Sequence, residues 1–263
     1  MPLTTFEHIL EQVAPSVHTM QFYFQGEPLL NPDLPKMIAL AHKRHIYTIV
    51  STNAQALTPL LAQQLTKAGL NRIIVSIDGF SQETYEQYRK GGSLHKAMDG
   101  LQYLHDAQQG HQPWIELQVL RLRSNEHEWD FVRRNYRHMG ANSLTFKTAQ
   151  FIDFENGNPL MPSNPKYCRY EQQADGRYHL KTLPPYSSTP LHPYTPCHRL
   201  WTGCVITTTG EVLPCCYDKQ SRYSFGNILQ QDLQTIYHSD KAQSFRQHVL
   251  KGHTIDICQN CGG

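Results

Sequence analysis

Residues 47–79 read YTIVSTNAQALTPLLAQQLTKAGLNRIIVSIDG, and this stretch decides the fold. Tyr47 to Ser51 and Asn71 to Ile77 are apolar, β-branched runs of strand length, and between them Leu57 to Ala68 has helical periodicity. Two such strands separated by a helix form a parallel crossover unit. Outward from it the same order repeats. On the N-terminal side, Thr5 to Val13 reads as a helix with Phe6, Ile9, Leu10 and Val13 on one side. A strand at His18 to Phe24 and a helix at Leu34 to His42, behind Pro32 and Asp33, follow. On the C-terminal side lie helices at Glu83 to Arg89 and Leu94 to Gln108, a strand at Trp114 to Leu120, a helix at Glu126 to Met139 and a strand at Ser143 to Lys147. Five strands alternating with helices predict an α/β fold with a parallel sheet and right-handed crossovers, doubly wound or barrel-like, over 1–150.

The texture changes after Gln150. Residues 151–196 hold eight of the sixteen prolines together with Tyr167, Tyr170, Tyr178, Tyr186 and Tyr194, which predicts a linker or an extended, substrate-facing segment. From Cys197 to the end a second unit is expected: a hairpin around Gly210, a helix over Asp232 to His248, and a final Cys258-Gln259-Asn260-Cys261 knuckle.

Cysteine use sets the chemistry. A chain of 263 residues needs no covalent staples, seven cysteines is an odd number, and the first twenty residues carry Glu7, His8, Glu11 and Gln12 where a leader needs an apolar run. No segment reaches the roughly 18 apolar residues of a membrane span. A cytoplasmic protein with reduced thiols is expected, and there clustered cysteines bind metal. A net charge of +2 gives no field to steer nucleic acid or a membrane surface, so neither is an expected partner. Cys197, Cys215, Cys258 and Cys261 have the spacing of a thiolate-held centre, with Cys204 and Cys216 in reserve and Cys168 a plain thiol. Spacing alone leaves a four-cysteine zinc knuckle and an iron–sulfur cluster both open.

Parallel sheets carry their function at the C-terminal ends of the strands. Here those ends read Gln25-Gly26-Glu27-Pro28, Ser51-Thr52-Asn53, Ser76-Ile77-Asp78-Gly79, Gln118 and Lys147. Each alone is compatible with a turn or a helix cap. Their recurrence at successive strand ends points to one polar mouth.

Gly26-Glu27-Pro28, Ser51-Thr52-Asn53, Val75-Ser76-Ile77-Asp78-Gly79 and Tyr88-Arg89-Lys90-Gly91-Gly92 together resemble the core of radical S-adenosylmethionine (SAM) enzymes. The tail, with Trp201, Gly210, Cys215-Cys216, Gly226-Asn227, Phe245-Arg246 and Cys258-x-x-Cys261, is similar to the SPASM extension in its shortened, twitch-like form. The resemblance implies a partial (β/α) barrel that binds SAM, cleaves it reductively and abstracts a substrate hydrogen. It places Gly26 and Glu27 at the methionine amino group, Ser51 and Asn53 beside the ribose, and Ser76 and Arg89 at the carboxylate, with Asp78 a lesser candidate. It turns the four tail cysteines into ligands of one auxiliary 4Fe–4S cluster. It also implies a reducing donor such as ferredoxin or flavodoxin, and a peptide or protein substrate. Lys147 and Asp218 are the candidates for substrate contact or proton transfer.

One departure stands out. The Cys-x3-Cys-x2-Cys triad that holds the SAM-cleaving cluster in this family is absent, no cysteine preceding Cys168. That cluster is expected only in a full-length form, with Met1 an internal start, one strand missing and the His18 to Phe24 edge unpaired. A non-catalytic iron–sulfur carrier and a zinc-stabilised binding module are the alternatives.

Overall fold

A computed structural model describes residues 1–181, 197–251 and 255–261. Its contacts divide the chain into two units, Val17–His179 on the one hand and Met1–Ser16 with Leu180–Gly263 on the other. The first helix, α1 (Leu3–Val13), thus groups with the C-terminal part of the chain. Tyr186, Tyr194 and the rest of 182–196 lie outside the described residues.

The larger unit is built on five parallel strands in sequential order: β1 (Thr19–Gln21), β2 (Tyr47–Thr52), β3 (Arg72–Ser76), β4 (Trp114–Arg121) and β5 (Ser143–Thr148). Between them run α2 (Leu34–Lys43), α3 (Pro59–Lys67), α4 (Gln82–Tyr88), α5 (Leu94–Ala107) and α6 (Trp129–Asn135). Val50, Ile73, Val75, Ile115, Leu117 and Val119 lie on one face of the sheet and join Ile38, Leu65, Leu101 and Leu104 from the helices in one buried core. The opposite face carries Ser51, Ser76, Gln118 and Lys147, brought onto one side by the pairings Ser51–Ile74, Ser76–Gln118 and Leu120–Lys147 and the two-residue alternation of strands. Among the described residues β1 pairs only with β2 and so forms a sheet edge.

Several boundaries differ from the sequence reading for identifiable reasons. The helix expected from Leu57 starts at Pro59, because the Thr58 side chain accepts the Leu61 amide as an N-cap and proline occupies the first turn. The single helix expected over Glu126 to Met139 is a 3-10 run, Arg123–Glu128, followed by α6. Asn125 is fully buried, accepts from the Leu122 amide and donates to the carbonyls of Leu120 and Asp78, and such local bonds compete with a regular helix. The irregular segment after Gln150 contains a small ribbon of β6 (Tyr170–Gln172) and β7 (Tyr178–Leu180).

In the smaller unit, α7 (Arg199–Thr202) precedes an antiparallel sheet of β8 (Val205–Ile206), β9 (Glu211–Leu213) and β10 (Gly226–Asn227). Gly210 turns the hairpin at φ +87°, where an added Cβ would stand 2.5 Å from Asn227 Oδ1, so both backbone sign and space require glycine. The helix expected over Asp232 to His248 is two: α8 (Leu233–Tyr237), capped by Asp232, and α9 (Asp240–Leu250), restarted by Ser239, whose hydroxyl accepts the Ala242 amide. Arg246 is buried and ties these helices to α7, donating to the carbonyls of Leu200 at 3.0 Å and Tyr237 at 2.7 Å. α1 is fastened to the same unit: His8 and Gln12 contact the Ile228 carbonyl, and Gln12 Oε1 accepts the Leu233 amide at 2.9 Å.

Candidate functional site

The mouth of the larger unit is held open by carboxylates that bind protein, not solvent. After β1 the chain reaches Gly26, at φ +83° with nothing within 4 Å of an added Cβ, so its backbone is accessible to a ligand. Glu27 then caps the Pro28–Leu30 turn through the Leu29 amide. Its Oε1 also accepts from Thr52 Oγ1 at 2.7 Å, and its Oε2 from the Asn53 amide at 2.9 Å. The Glu27 side chain is therefore a strap between the first two strand ends, and what the Gly26-Glu27 turn offers a ligand is backbone. Ser51 and Asn53 are half-buried at the same rim.

Past β3, Ser76 is buried and its Oγ accepts from Gln118 Nε2 at 3.3 Å. Asp78 is completely buried. Its Oδ2 accepts from Arg89 at 2.7 Å (Nε) and 2.6 Å (Nη2), and its Oδ1 from the Leu120 amide at 2.6 Å. Burial raises the Asp78 carboxyl above the usual range, opposed by the Arg89 cation and the Leu120 N–H. Arg89 thus brings two of its donors to Asp78, and the Asp78–Arg89 pair sets the turn after β3. Behind it, Asn125 holds the Asp78 carbonyl and Glu128 accepts the Phe80 amide at 2.8 Å. Neither Asn125 nor Glu128 was singled out in the sequence, since a polar residue in a helix-like run gives no sign of burial. Lys147 lies exposed at the end of β5, on the Ser76 face.

The second candidate centre lies in the smaller unit. Cys197, Cys215, Cys258 and Cys261 are all free thiols. Burial pushes Cys258 up to about 11, with Cys215, Cys261, Cys197 and Asp256 raising it further. Cys215 is raised as well, chiefly by burial, with Cys216 and Cys261 adding to it and the Tyr217 and Asp218 amides opposing. Cys204 is raised to about 11 by burial, opposed by the Arg246 cation, and Cys216 is exposed with Arg199 Nη1 at 3.8 Å from its sulfur. Cys168 is buried in the other unit. Among the described residues no three Cys, His or carboxylate groups converge closely enough to hold a single ion. An all-cysteine donor set of this kind is the one iron–sulfur clusters use. The larger unit contains one cysteine, Cys168, and does not fit a three-thiolate site.

Asp218 is fully buried, its Oδ1 accepting the Arg222 amide at 2.9 Å and its Oδ2 the Tyr223 amide at 2.8 Å. Both oxygens are committed to the loop after Cys215. Asp256, which drew no notice in the sequence, accepts from Tyr223 Oη at 2.7 Å and pairs with Arg222.

A parallel α/β sheet with a polar mouth, followed by a small four-thiol unit, defines a radical SAM-type protein with an iron–sulfur extension. Family comparison agrees: the model described as "Radical SAM superfamily" matches residues 3–128, and the SPASM model, described as "Iron-sulfur cluster-binding domain", matches residues 197–262. The chain belongs to the radical SAM superfamily and carries a SPASM domain. It is 26% identical to the AdoMet-dependent heme synthase of Methanosarcina barkeri, covering 98% of this chain and 80% of that protein. It is 25% identical to the PqqA peptide cyclase of Rhizobium meliloti, covering 90% of this chain but only 64% of that protein. Among solved structures, Streptococcus suis SuiB superposes with a TM-score of 0.71 at 14% identity, over 94% of this chain and 62% of that one. AdoMet-bound anSMEcpe superposes at 0.68 and 14%, over 100% and 76%. Domains of this kind bind iron–sulfur clusters and SAM. No helix among the described residues is long and apolar enough to cross a membrane.

Proposed function

We propose that this chain is the SAM-binding and auxiliary-cluster portion of a radical SAM/SPASM oxidoreductase that abstracts hydrogen from a peptide or protein side chain. The observation that carries the reading is the combination, in one chain, of polar residues at successive strand ends with four free cysteines in the C-terminal unit. In the mouth, the backbone of Gly26 and Glu27 receives the methionine amino group, Ser51 and Asn53 flank the ribose, and Ser76 receives the carboxylate. Asp78 positions Arg89, which carries its third donor and its positive charge toward that same carboxylate. Cys197, Cys215, Cys258 and Cys261 hold one auxiliary 4Fe–4S cluster, which supplies an electron-transfer centre. Lys147 borders the substrate, and residues 151–179 line its groove. A ferredoxin- or flavodoxin-type donor supplies electrons. The cluster that cleaves SAM needs three thiolates absent from this sequence, so the chain by itself binds SAM without cleaving it.

The likeness to the peptide cyclase supports the peptide reading. A small-molecule substrate is the second reading, favoured by the heme synthase, which is covered over the larger share of its length.

The test is anaerobic reconstitution of the chain with iron and sulfide, followed by metal analysis and equilibrium dialysis against SAM with dithionite present. Iron and sulfide near four each per chain, with SAM bound and no 5′-deoxyadenosine formed, is the expected result. Zinc uptake without iron overturns the cluster assignment, and release of 5′-deoxyadenosine by this chain alone overturns the account of its missing thiolates.

A further inference from the structure

We propose that Asp218 and Asp256, joined through Arg222 and Tyr223, are positioning residues that lock the Cys215 loop to the Cys258 loop at the separation an auxiliary cluster requires. The inference rests on the auxiliary-cluster reading above.

Starting at Cys215, its carbonyl accepts the Asp218 amide at 3.3 Å, so the turn leaving the thiol is closed by Asp218 backbone. The Asp218 side chain then folds inward, out of contact with solvent, and accepts two consecutive amides, Arg222 and Tyr223. A buried carboxylate costs free energy unless donors compensate it, and two backbone N–H groups do so here. Between them Ser221 adopts φ +55°, a left-handed conformation that a non-glycine residue keeps only when its surroundings enforce it.

The turn thus fixed aims Arg222 and Tyr223 at the second cysteine loop. Tyr223 Oη donates to Asp256 Oδ1 at 2.7 Å, and Arg222 pairs with Oδ2 of the same carboxylate. Asp256 also accepts the amide of Ile257 at 2.7 Å. Cys258 N–H donates to the Ile255 carbonyl at 2.9 Å and Cys261 N–H to the Cys258 carbonyl at 3.0 Å, which ties both terminal thiols to the residues around Asp256. The path from Cys215 to Cys258 therefore runs through hydrogen bonds from loop to loop. Tyr223 is anchored separately, its ring packing edge-on against Phe245 at 5.3 Å. Partners outside a ligand set that orient the ligands typically affect metal affinity by 10–100-fold.

Two variants of the full chain test this. Tyr223→Phe keeps the ring on Phe245 and removes one of the two links between the loops, leaving the Arg222–Asp256 pair. Asp256→Asn keeps an acceptor for Tyr223 and removes the negative charge. After anaerobic reconstitution, Tyr223→Phe is expected to lose iron to a chelator about tenfold faster than wild type at an unchanged thermal midpoint. Asp256→Asn is expected to move the midpoint potential of the bound cluster to a less negative value, because an anion beside the thiolates disfavours the added electron. Iron loss at the wild-type rate, or a potential that does not move, overturns the brace. A wild-type chain that takes up no iron overturns the cluster reading, and with it this one, so the two failures are distinguishable.

Discussion

Around the strand ends of the larger unit, loops are held by carboxylates that each reach a neighbouring strand: Glu27 grips Thr52 of β2 and the Asn53 amide after it, and Asp78 grips the Leu120 amide of β4 as well as Arg89. In the smaller unit carboxylates again do the holding, but the strands are two or three residues long and the grip runs from loop to loop, through Asp218 and Asp256. The contrast teaches that the mouth inherits its geometry from a rigid sheet and needs polar residues only to finish it. The cysteine loops have no such scaffold and must be fixed by their own side chains.

The largest effect should come from breaking the buried pair at the mouth. Arg89→Met leaves Asp78 sealed from water without its cation, a change that costs about 3–5 kcal/mol. Urea unfolding checks it. The sign with pH follows from the raised Asp78 carboxyl, which removal of Arg89 raises further. A folded-state value above the unfolded one means the folded form binds the proton more tightly. The deficit should therefore be largest at pH well above the raised carboxyl values and shrink as pH falls toward the unfolded carboxylate range. A loss below about 1 kcal/mol, the surface-pair range, would show that sheet packing alone fixes this turn and would erase the contrast.

Glu27→Gln comes next. It keeps the shape but weakens the charge-assisted bonds to Asn53 and Thr52, at a cost of about 1.5 kcal/mol, or about tenfold in SAM affinity. Dialysis against SAM measures it, and unchanged affinity would remove the strap from the binding site. The smallest effect belongs to Lys147→Met. Lys147 is exposed at a strand end, so the free energy of unfolding should stay within about 0.5 kcal/mol of wild type. A large drop in the melting curve would mean that this position supports the sheet.

The same contrast explains what could be read from the sequence. Ile49 with Val50, and Ile73 with Ile74 and Val75, announce buried parallel strands because both faces of such strands are covered, and the polar residues ending them stand out by difference. The grouping of four tail cysteines is legible for a similar reason, since few roles ask for thiols at that spacing. Asn125 was not legible: its side chain interrupts a helix by bonding Asp78, 47 positions earlier, and periodicity does not see such a partner. Asp256 was hidden likewise, its hydroxyl donor lying 33 residues away in Tyr223. Arg89 and Asp78 were each noticed, but their pairing depends on how the β3 turn folds back toward α4. Asp218 looked available for proton transfer because sequence does not report that two amides already use it.

The fastening of α1 has a consequence for biosynthesis. His8 is bonded to Ile228, 220 positions further along, so the opening helix leaves the ribosome long before the segment it docks on exists. At about 5–20 residues per second, His8 and Gln12 wait roughly 10–45 seconds for that segment. Until that segment is made, α1 lacks the hydrogen-bond partners that hold it in the folded unit.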